Sequence, residues 1–196
     1  MLEVAPESES GGNSRFAGGV MRFTYDSVRD LQRLADISDE EAANADWETN
    51  TKEEFYDDLY EATGYRTDPD LSETLISQSL EAMVWVRSQG VRFVPNYRRQ
   101  SDMVNGRRKF FGRVPLWTTG GGAGLVQSLT ETAVKKGIEI FYETRAVSLI
   151  YDRVRVQGVV AKCRDEAIEF RAPSTVLACG GFEANPEWRT RYLGPD

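Results

Sequence analysis

The spacing of apolar residues predicts a helical region between residues 26 and 90. Apolar positions recur there at helical intervals, in short segments separated by polar breaks. Two segments open with a capping box, in which a hydroxyl residue is followed three positions later by glutamate: Ser38 with Glu41, and Thr51 with Glu54. The pattern therefore predicts one short helix through SDEEAANAD and a second one through TKEEFYDDLYEATG.

The longest apolar stripe lies in LSETLISQSLEAMVWVRSQG and predicts the main helix of this region. Because the Met and the Trp of this segment fall on the helical stripe, we interpret both as core residues. The inward side is predicted to consist of Leu75, Ile76, Ser79, Leu80, Met83 and Val84. A further helix in GLVQSLTETAVKKG is predicted to end at Gly137 and to turn inward Leu125, Val126, Leu129 and Ala133.

After Gly90 the apolar residues form short runs that are typical of strands. VRFVP is predicted to be a strand, and MVNGRRKFF a hairpin that turns at Asn105 and Gly106. IEIFY is predicted to be a buried strand that follows the helix ending at Gly137. AVSLIY, VRVQGVVAKC and AIEFRA predict a three-stranded antiparallel meander, and STVLACGG predicts a final apolar strand that ends in paired glycines.

Two glycine pairs bracket the segment GGNSRFAGG. Glycine lets backbone N–H groups approach a phosphate or a ring without a Cβ in the way, and it permits positive φ in a tight turn. If Asn13 or Ser14 begins a helix, the N–H groups of the first turn would also face an anion. Taken alone, however, the segment is more typical of a flexible surface loop. The four glycines are Gly11, Gly12, Gly18 and Gly19.

Composition and charge then exclude several classes of function. The net charge of −7 would repel a phosphate backbone, so nucleic acid is not expected as a partner. The sequence has no histidine, which rules out Ser-His-Asp triads, H-E-x-x-H zinc sites and imidazole catalysis within this chain. Cys163 and Cys179 lack metal-ligand spacing and are predicted to be reduced thiols in or near strands.

The sequence also lacks the marks of a membrane or secreted protein. No run of 18 apolar residues occurs, so a membrane span is not expected. The opening MLEVAPESES has neither the basic nor the apolar region of a signal peptide. We therefore expect a cytoplasmic location.

Charges are unevenly distributed along the chain. Residues 36–61 hold eleven acidic residues against Lys52 alone. A basic segment follows, with only Asp102 as an acidic residue. It contains Arg98, Arg99, Arg107, Arg108, Lys109 and Arg113. Two interpretations remain open: the opposite charges pair with each other or stay solvated, or the basic hairpin attracts a tricarboxylate.

The order of these segments gives the sequence a family resemblance. MLEV looks like the end of a strand with an acidic tip, Glu3, and it is followed by GGNSRFAGG, GGGAGL, the meander and TVLACGGFEANPE. This succession resembles the FAD-binding domain of the fumarate reductase and succinate dehydrogenase flavoprotein superfamily. Within it, the sequence is most similar to the FAD-dependent tricarballylate dehydrogenase group. The resemblance spans essentially the whole chain and is carried by EVAPESESGGNSRFAGGVMRFTYD, YRTDPDLSETLISQSLEAMVWVRSQGVRF, GGGAGLVQSL, IEIFYETRAVSLI and TVLACGGFEANPEWRTRYLGP.

The resemblance implies an α/β fold and a set of residues that bind FAD. The fold would be an incomplete, doubly wound FAD/NAD(P)-binding domain over residues 1–196, with a helical excursion at about 26–90 and an antiparallel β-meander. Glu3 would bind the adenosine ribose, and Ala146 and Val147 would meet the adenine. The segments expected along the pyrophosphate and the flavin contain Gly11, Gly12, Asn13, Ser14, Gly18, Gly19, Ala178, Gly180 and Gly181. Many relatives have Thr in place of Cys179.

The resemblance also implies what lies outside this sequence. Relatives have a strand and a G-x-G-x-x-G motif upstream, and a cap domain downstream that supplies the catalytic Arg and His. We therefore expect a chain truncated at both ends and inactive alone, in which no catalytic acid or base can be named.

The implied activity of the parent enzyme is hydride transfer between FAD and a polycarboxylate such as tricarballylate, with an electron-acceptor protein as a further expected partner. The alternatives are a fumarate-reductase-like or 3-ketosteroid-dehydrogenase-like enzyme, and a non-catalytic homologue.

Overall fold

A computed structural model of the protein describes residues 1–164 and 166–194. The chain divides into two compact units. One consists of Met1–Asn13 together with the described residues from Glu139 onward, and the other of Ser14–Ile138. Helices and small sheets occur together, so the predicted α/β class is confirmed. A short 3₁₀ turn, Glu7–Glu9, precedes the first helix.

Helices dominate the unit formed by Ser14–Ile138. Helix α1 crosses into it from the other unit. The helices are α1 (Gly12–Phe16), α2 (Val28–Gln32), α3 (Asp39–Asn44), α4 (Lys52–Ala62), α5 (Pro69–Ser88) and α6 (Gly121–Lys135). Both predicted capping boxes are confirmed, because the backbone N–H of Glu41 donates to Ser38 Oγ at 3.2 Å and that of Glu54 donates to Thr51 Oγ1 at 3.2 Å. The local hydroxyl and carboxylate groups thus fix where α3 and α4 begin.

Helix α5 presents a narrower buried face than its sequence predicts. Its buried residues are Ser72, Ile76, Ser79 and Met83. Leu75 and Trp85 were expected in the core, but they are 53% and 61% exposed, respectively. The buried face of a surface helix holds three to four residues per two turns, so Leu75 and Trp85, which lie outside it, remain exposed. Within this face, Ser79 is small, and the Thr24 N–H donates to Ser79 Oγ at 2.9 Å.

Five short strands form two sheets in the same unit. They are β1 (Ala45–Asp46), β2 (Phe93–Pro95), β3 (Ser101–Val104), β4 (Arg107–Phe110) and β5 (Leu116–Thr118). One sheet has the order β1-β4-β3, and β2 pairs with β5 in the other. The predicted hairpin is confirmed, with Asn105 and Gly106 at φ 53° and 77°. The helix predicted through Asp46 ends earlier, because Ala45 and Asp46 pair in parallel with β4.

The core of this unit is aromatic and aliphatic. Trp47 stacks on Phe110 with ring centroids 4.2 Å apart. Around this pair lie the other buried residues, which include Phe23, Tyr25, Leu31, Leu34, Val91, Phe93 and Leu116. Leu125 and Leu129 of α6 pack against this cluster, as the apolar stripe of that helix predicts. The core therefore holds together the helical region and the two small sheets.

The other unit is built on the predicted meander, which is confirmed. Strands β6 (Thr144–Tyr151), β7 (Val156–Cys163) and β8 (Glu166–Arg171) form an antiparallel sheet in the order β6-β7-β8. Helix α7 (Pro186–Leu193) follows, and the side chain of its N-cap Asn185 accepts from the Trp188 N–H. Leu2 forms an isolated parallel bridge to Phe141.

Two predicted strands of this unit differ from expectation. IEIFY contributes only the parallel bridge at Phe141, where Glu3 N–H donates to Phe141 O at 2.9 Å. STVLACGG is irregular rather than a strand, and Val176 and Leu177 are 88% and 65% exposed. The reason is that a strand needs a neighbour, and none of the described residues pairs with this segment. Within the described residues, no helix is both long and apolar enough to cross a membrane.

Candidate functional site

The first glycine pair opens helix α1 and leaves open space beside its backbone. Gly11 and Gly12 adopt φ of 107° and 52°, which an L-residue rarely does. A Cβ added at Gly12 would have nothing within 4 Å. The neighbouring Asn13 is exposed, and its Nδ2 donates to Glu183 Oε2 at 3.3 Å. This side of the loop is therefore accessible to a ligand.

The predicted glycines near the end of the chain lie in the same unit and are also open. Gly180 has φ 72° and nothing within 4 Å of its added Cβ. The atoms nearest to an added Cβ at Gly181 belong to the flexible carboxylate of Glu183, with the closest oxygen at 2.4 Å. Since Asn13 bonds to that carboxylate, the structure brings the Gly11–Gly12 and Gly180–Gly181 segments together. Ala178 and Cys179 lie just before them and are exposed.

Glu3 stands at the end of the short extended segment that pairs with Phe141. Its Oε1 accepts from the Ala5 N–H at 2.9 Å, and its backbone carbonyl accepts from the Thr144 N–H at 2.9 Å. Thr144 begins β6 and precedes the predicted adenine contact Ala146 by two residues. The hydrogen bond therefore holds Glu3 near Ala146. The register of β6 against β7 shifts between Ala146 and Ser148, which leaves Val147 as a bulged residue that is 55% exposed.

The second glycine pair lies in the other unit, where the surroundings are closed. Gly19 is buried at φ 74°, and an added Cβ would lie 2.1 Å from Thr118 Oγ1 and 2.7 Å from Gly121 Cα. The Thr118 N–H donates to Gly19 O at 2.8 Å. Gly18 is exposed, and an added Cβ there would meet only Arg99 Nη1, at 3.6 Å. Of the predicted site residues in this unit, Ser14 is exposed as well.

Two glycines of helix α6, which the sequence did not indicate as site residues, allow close packing beside residues 14–19 and Thr119. An added Cβ at Gly122 would lie 1.9 Å from Ser14 O, and one at Gly124 would lie 2.0 Å from Thr119 O. The Gly122 N–H donates to Ala17 O at 2.9 Å. The GGGAGL run before a predicted helix was the signal for this close packing, which holds residues 14–19 in a fixed conformation.

The basic segment around β3 and β4 is only partly neutralised. Arg107 donates to Ala45 O at 3.1 Å, and Arg108 donates to Ser101 Oγ at 3.0 Å while its guanidinium lies 5.1 Å from the Tyr97 ring centroid. Arg113 donates to Asp58 at 2.7 Å. The interpretation that opposite charges pair is confirmed for Arg113, but the described residues show no ion pair for Arg98 or Arg99.

Asp58 is the centre of the charge network that Arg113 joins. It also pairs with Arg22, whose guanidinium lies 5.0 Å from the Phe55 ring centroid. Hydrogen bonds from Arg22 and Arg113 hold the pKa of Asp58 below its usual value, although burial opposes this shift. Burial likewise raises the pKa of Tyr97 to about 12, with Glu41 as a hydrogen-bond partner adding to the effect. The Asp58–Arg113 pair connects α4 to the segment after β4, and the Tyr97–Glu41 hydrogen bond connects α3 to the segment before β3.

The cavities of the helical unit lie elsewhere. The larger one, about 560 Å³, is an open groove lined by Trp47, Asp46, Arg107 and neighbouring residues, and none of the predicted cofactor residues lines it. The described residues contain no group of three or more His, Cys, Asp or Glu side chains that could hold a metal ion. Cavity volume therefore does not indicate where the predicted cofactor residues lie.

The residues present fit FAD. Gly12 and Gly180 offer positive-φ backbone with free space, which a pyrophosphate or a ring needs for close approach. Glu3 is a carboxylate held at a strand end, the position from which dinucleotide folds bind a ribose. Three such features in one unit have the chemistry of a nucleotide-cofactor site.

Comparisons with known proteins agree with this reading of the geometry. The FAD binding domain family matches residues 4–195. The fumarate reductase (cytochrome) of Shewanella frigidimarina is 26% identical over 197 residues, which cover 100% of this chain and 31% of that protein. The chain thus spans about a third of the length of this relative.

Solved structures show the same fold. The open conformation of a flavocytochrome c3 fumarate reductase has a TM-score of 0.68 at 23% identity, over 97% of this chain and 30% of that one. The 3-ketosteroid delta1-dehydrogenase from Sterolibacterium denitrificans has a TM-score of 0.68 at 16% identity, over 97% of this chain and 44% of that one. Because the family match spans nearly every residue, the protein belongs to the FAD binding domain family, with FAD as its cofactor.

Proposed function

We propose that this chain is the FAD-binding part of an oxidoreductase that acts on a carbon–carbon bond next to a carboxylate. The observation that carries the proposal is the open, positive-φ backbone at Gly12 and Gly180 within a chain that matches the FAD binding domain family. The substrate in this proposal is a polycarboxylate such as tricarballylate. The basic segment around β3 and β4 supports this choice over a neutral steroid, because guanidinium groups bind carboxylates in a bidentate manner.

The roles proposed for the chain's own residues follow from where they lie. Glu3 accepts hydrogen bonds from the ribose hydroxyls, and the β6 residues Ala146 and Val147 border the adenine. The glycine segments let the backbone approach the pyrophosphate and the flavin. These segments contain Gly11, Gly12, Asn13, Ser14, Gly18, Gly19, Ala178, Gly180 and Gly181. When bound, FAD supplies the hydride chemistry, and the protein orients it.

The same proposal covers the wider context of the chain. The whole of residues 1–196 is assigned to one FAD-binding domain, with the helical excursion inside it. A cytoplasmic location and an electron-acceptor protein remain predictions from the sequence. The fumarate reductase and the 3-ketosteroid dehydrogenase resemble this chain at under 30% identity, so their substrates are not transferred to it.

The test is a titration of the purified chain with FAD, followed by flavin fluorescence and visible absorption. Gly12→Asp places a carboxylate where the pyrophosphate is proposed to lie, and we expect it to weaken FAD binding about tenfold or more. Gly64→Asp is the matched control, since Gly64 has φ 58° against 52° at Gly12, and both have nothing within 4 Å of an added Cβ.

The two substitutions impose the same backbone strain and add the same charge, so only their positions differ. Saturable binding that Gly12→Asp weakens and Gly64→Asp leaves within about twofold would support the proposal. No binding to the folded chain, or an equal loss in both variants, would overturn it.

A further inference from the structure

The side chain of Arg99 borders the exposed glycine of the second pair. An added Cβ at Gly18 would meet Arg99 Nη1 at 3.6 Å, which is ordinary van der Waals contact, and no other heavy atom of the described, non-adjacent residues lies within 4 Å. One face of Gly18 is therefore open except for a guanidinium. Any molecule that lies along the Gly18 backbone also lies within reach of the Arg99 N–H donors.

Backbone hydrogen bonds of neighbouring residues flank both Gly18 and Arg99. On one side, the Gly122 N–H donates to Ala17 O at 2.9 Å and the Thr118 N–H to Gly19 O at 2.8 Å, so Gly18 is fixed between two anchored residues. On the other side, the Gln100 N–H donates to Asn96 O at 3.1 Å and the Phe111 N–H to Gln100 O at 3.0 Å. Arg99 thus belongs to a turn whose backbone is hydrogen-bonded to the residues that directly follow β2 and β4.

Arg99 is not occupied by the protein itself. Among the described residues it makes no hydrogen bond and no ion pair, whereas Arg107, Arg108 and Arg113 of the same basic segment are each bound to protein oxygens. A guanidinium carries five N–H donors in a planar fork that matches a carboxylate. The Arg99 guanidinium therefore has donors available for a pair of anionic oxygens beside Gly18.

We infer that Arg99 binds a carboxylate group of the substrate at Gly18. This inference rests on the proposed function, and it assigns the carboxylate to a residue of this chain. The anionic oxygens could instead belong to the cofactor pyrophosphate, so the experiment separates these two sources. Arg98 provides the matched control, because it is an adjacent, exposed arginine for which the described residues likewise show no partner.

The experiment is calorimetric titration of the full chain with tricarballylate, in the presence and in the absence of FAD. We expect Arg99→Gln to weaken tricarballylate binding roughly tenfold to a hundredfold, the range for a lost charge-assisted bidentate contact. Arg98→Gln is expected to change it by about twofold or less, through long-range charge alone. Trimethyl tricarballylate, which lacks the charges, should not compete.

A second titration distinguishes failure of this inference from failure of the proposed function. FAD binding to Arg99→Gln should stay within about twofold of the wild-type value, because the contact is with the substrate. Loss of FAD affinity as large as the loss of tricarballylate affinity would overturn the inference in favour of a pyrophosphate contact. Equal effects of Arg98→Gln and Arg99→Gln, or no tricarballylate binding by the wild-type chain, would also overturn it, whereas the FAD titration decides the proposed function separately.

Discussion

Two stretches of this chain have almost the same pattern, an apolar run that leads into consecutive glycines. PLWTTGGG occupies 115–122 and TVLACGG occupies 175–181. In the first, Leu116 is 1% exposed in β5, and an added Cβ at Gly122 would collide with backbone. In the second, Leu177 is 65% exposed, no strand forms, and Gly180 faces open space.

The difference shows that consecutive glycines have two structural roles in this chain: close packing of the protein's own backbone, and backbone left open to solvent. In 115–122, the protein's own backbone approaches the glycines, so their missing Cβ atoms serve packing. In 175–181, no atom of the described residues fills the space beside Gly180, so a ligand could approach its backbone closely. Consecutive glycines end both stretches, and the atoms that surround them distinguish the two roles.

The largest expected effect tests the contrast between the two apolar runs. Leu116→Ala should lower the free energy of unfolding by about 3 kcal/mol, because it removes buried methyl groups and leaves a cavity. Leu177→Ala should change it by less than about 0.5 kcal/mol, since the side chain is already in water. Urea unfolding followed by circular dichroism measures both, and similar losses would break the comparison.

The next prediction concerns the glycines themselves. Gly122→Ala should cost about 2 kcal/mol, because its Cβ would lie 1.9 Å from Ser14 O and the backbone must shift. Gly181→Ala is the control: the contacting atom is the mobile carboxylate of Glu183, at 2.4 Å, which can turn away. Its expected cost is below about 0.5 kcal/mol in the same urea experiment. A larger loss for Gly181→Ala would contradict the assignment of open and closed glycines.

A smaller effect tests the charge network that precedes the first run. The pKa of Asp58 is lower in the folded chain than its ordinary value of 3.8, so its contribution to stability is complete above that value and is lost as the pH falls through the folded pKa. Asp58→Asn should therefore be destabilising near neutral pH, by about 1 kcal/mol or less for pairs that are this exposed.

The measurement is the free energy of unfolding of both proteins as a function of pH. The gap between wild type and Asp58→Asn should close as the solution is acidified below the usual aspartate range. Asp57→Asn, on the same helix and exposed, should show no such gap. A gap that persists at acid pH would mean that Asp58 acts through packing rather than through charge.

The smallest expected effect concerns the open glycines. Glu183→Gln removes a carboxylate that lies next to Asn13, close to where the FAD pyrophosphate is proposed to bind. We expect FAD binding to become about twofold tighter at low salt and the difference to vanish at high salt, because exposed charges are screened. Glu187→Gln, in the first turn of α7, serves as the control. Weaker binding by Glu183→Gln would place the pyrophosphate elsewhere.

Much of the local structure could be predicted from the sequence because it depends on neighbouring residues. Ser38 with Glu41 and the Asn105-Gly106 turn are determined within a few positions, and both are confirmed. The strand predicted at STVLACGG was wrong because a strand depends on a partner that sequence does not specify. The exposure of Leu75 and Trp85 depends on which rows of α5 the rest of the unit covers.

The candidate site was predictable in part for the same reason. The glycines could be named from their pattern, but their division into open and closed sets depends on distant backbone such as Ser14 O against Gly122. The bulge at Val147 depends on the register between β6 and β7, and the sequence of β6 alone does not indicate that register. The approach of Arg99 to Gly18 joins residues too far apart for any sequence motif.

The bridge between Leu2 and Phe141 can form only late in synthesis, after the ribosome has added Phe141. Met1 and Glu139, which this pairing brings together, are 138 residues apart, while the intervening unit Ser14–Ile138 is continuous. A ribosome that adds about 5–20 residues per second needs on the order of ten seconds to synthesise the residues between the two partners. During that time Leu2 lacks its partner Phe141, and the continuous unit has the opportunity to fold first.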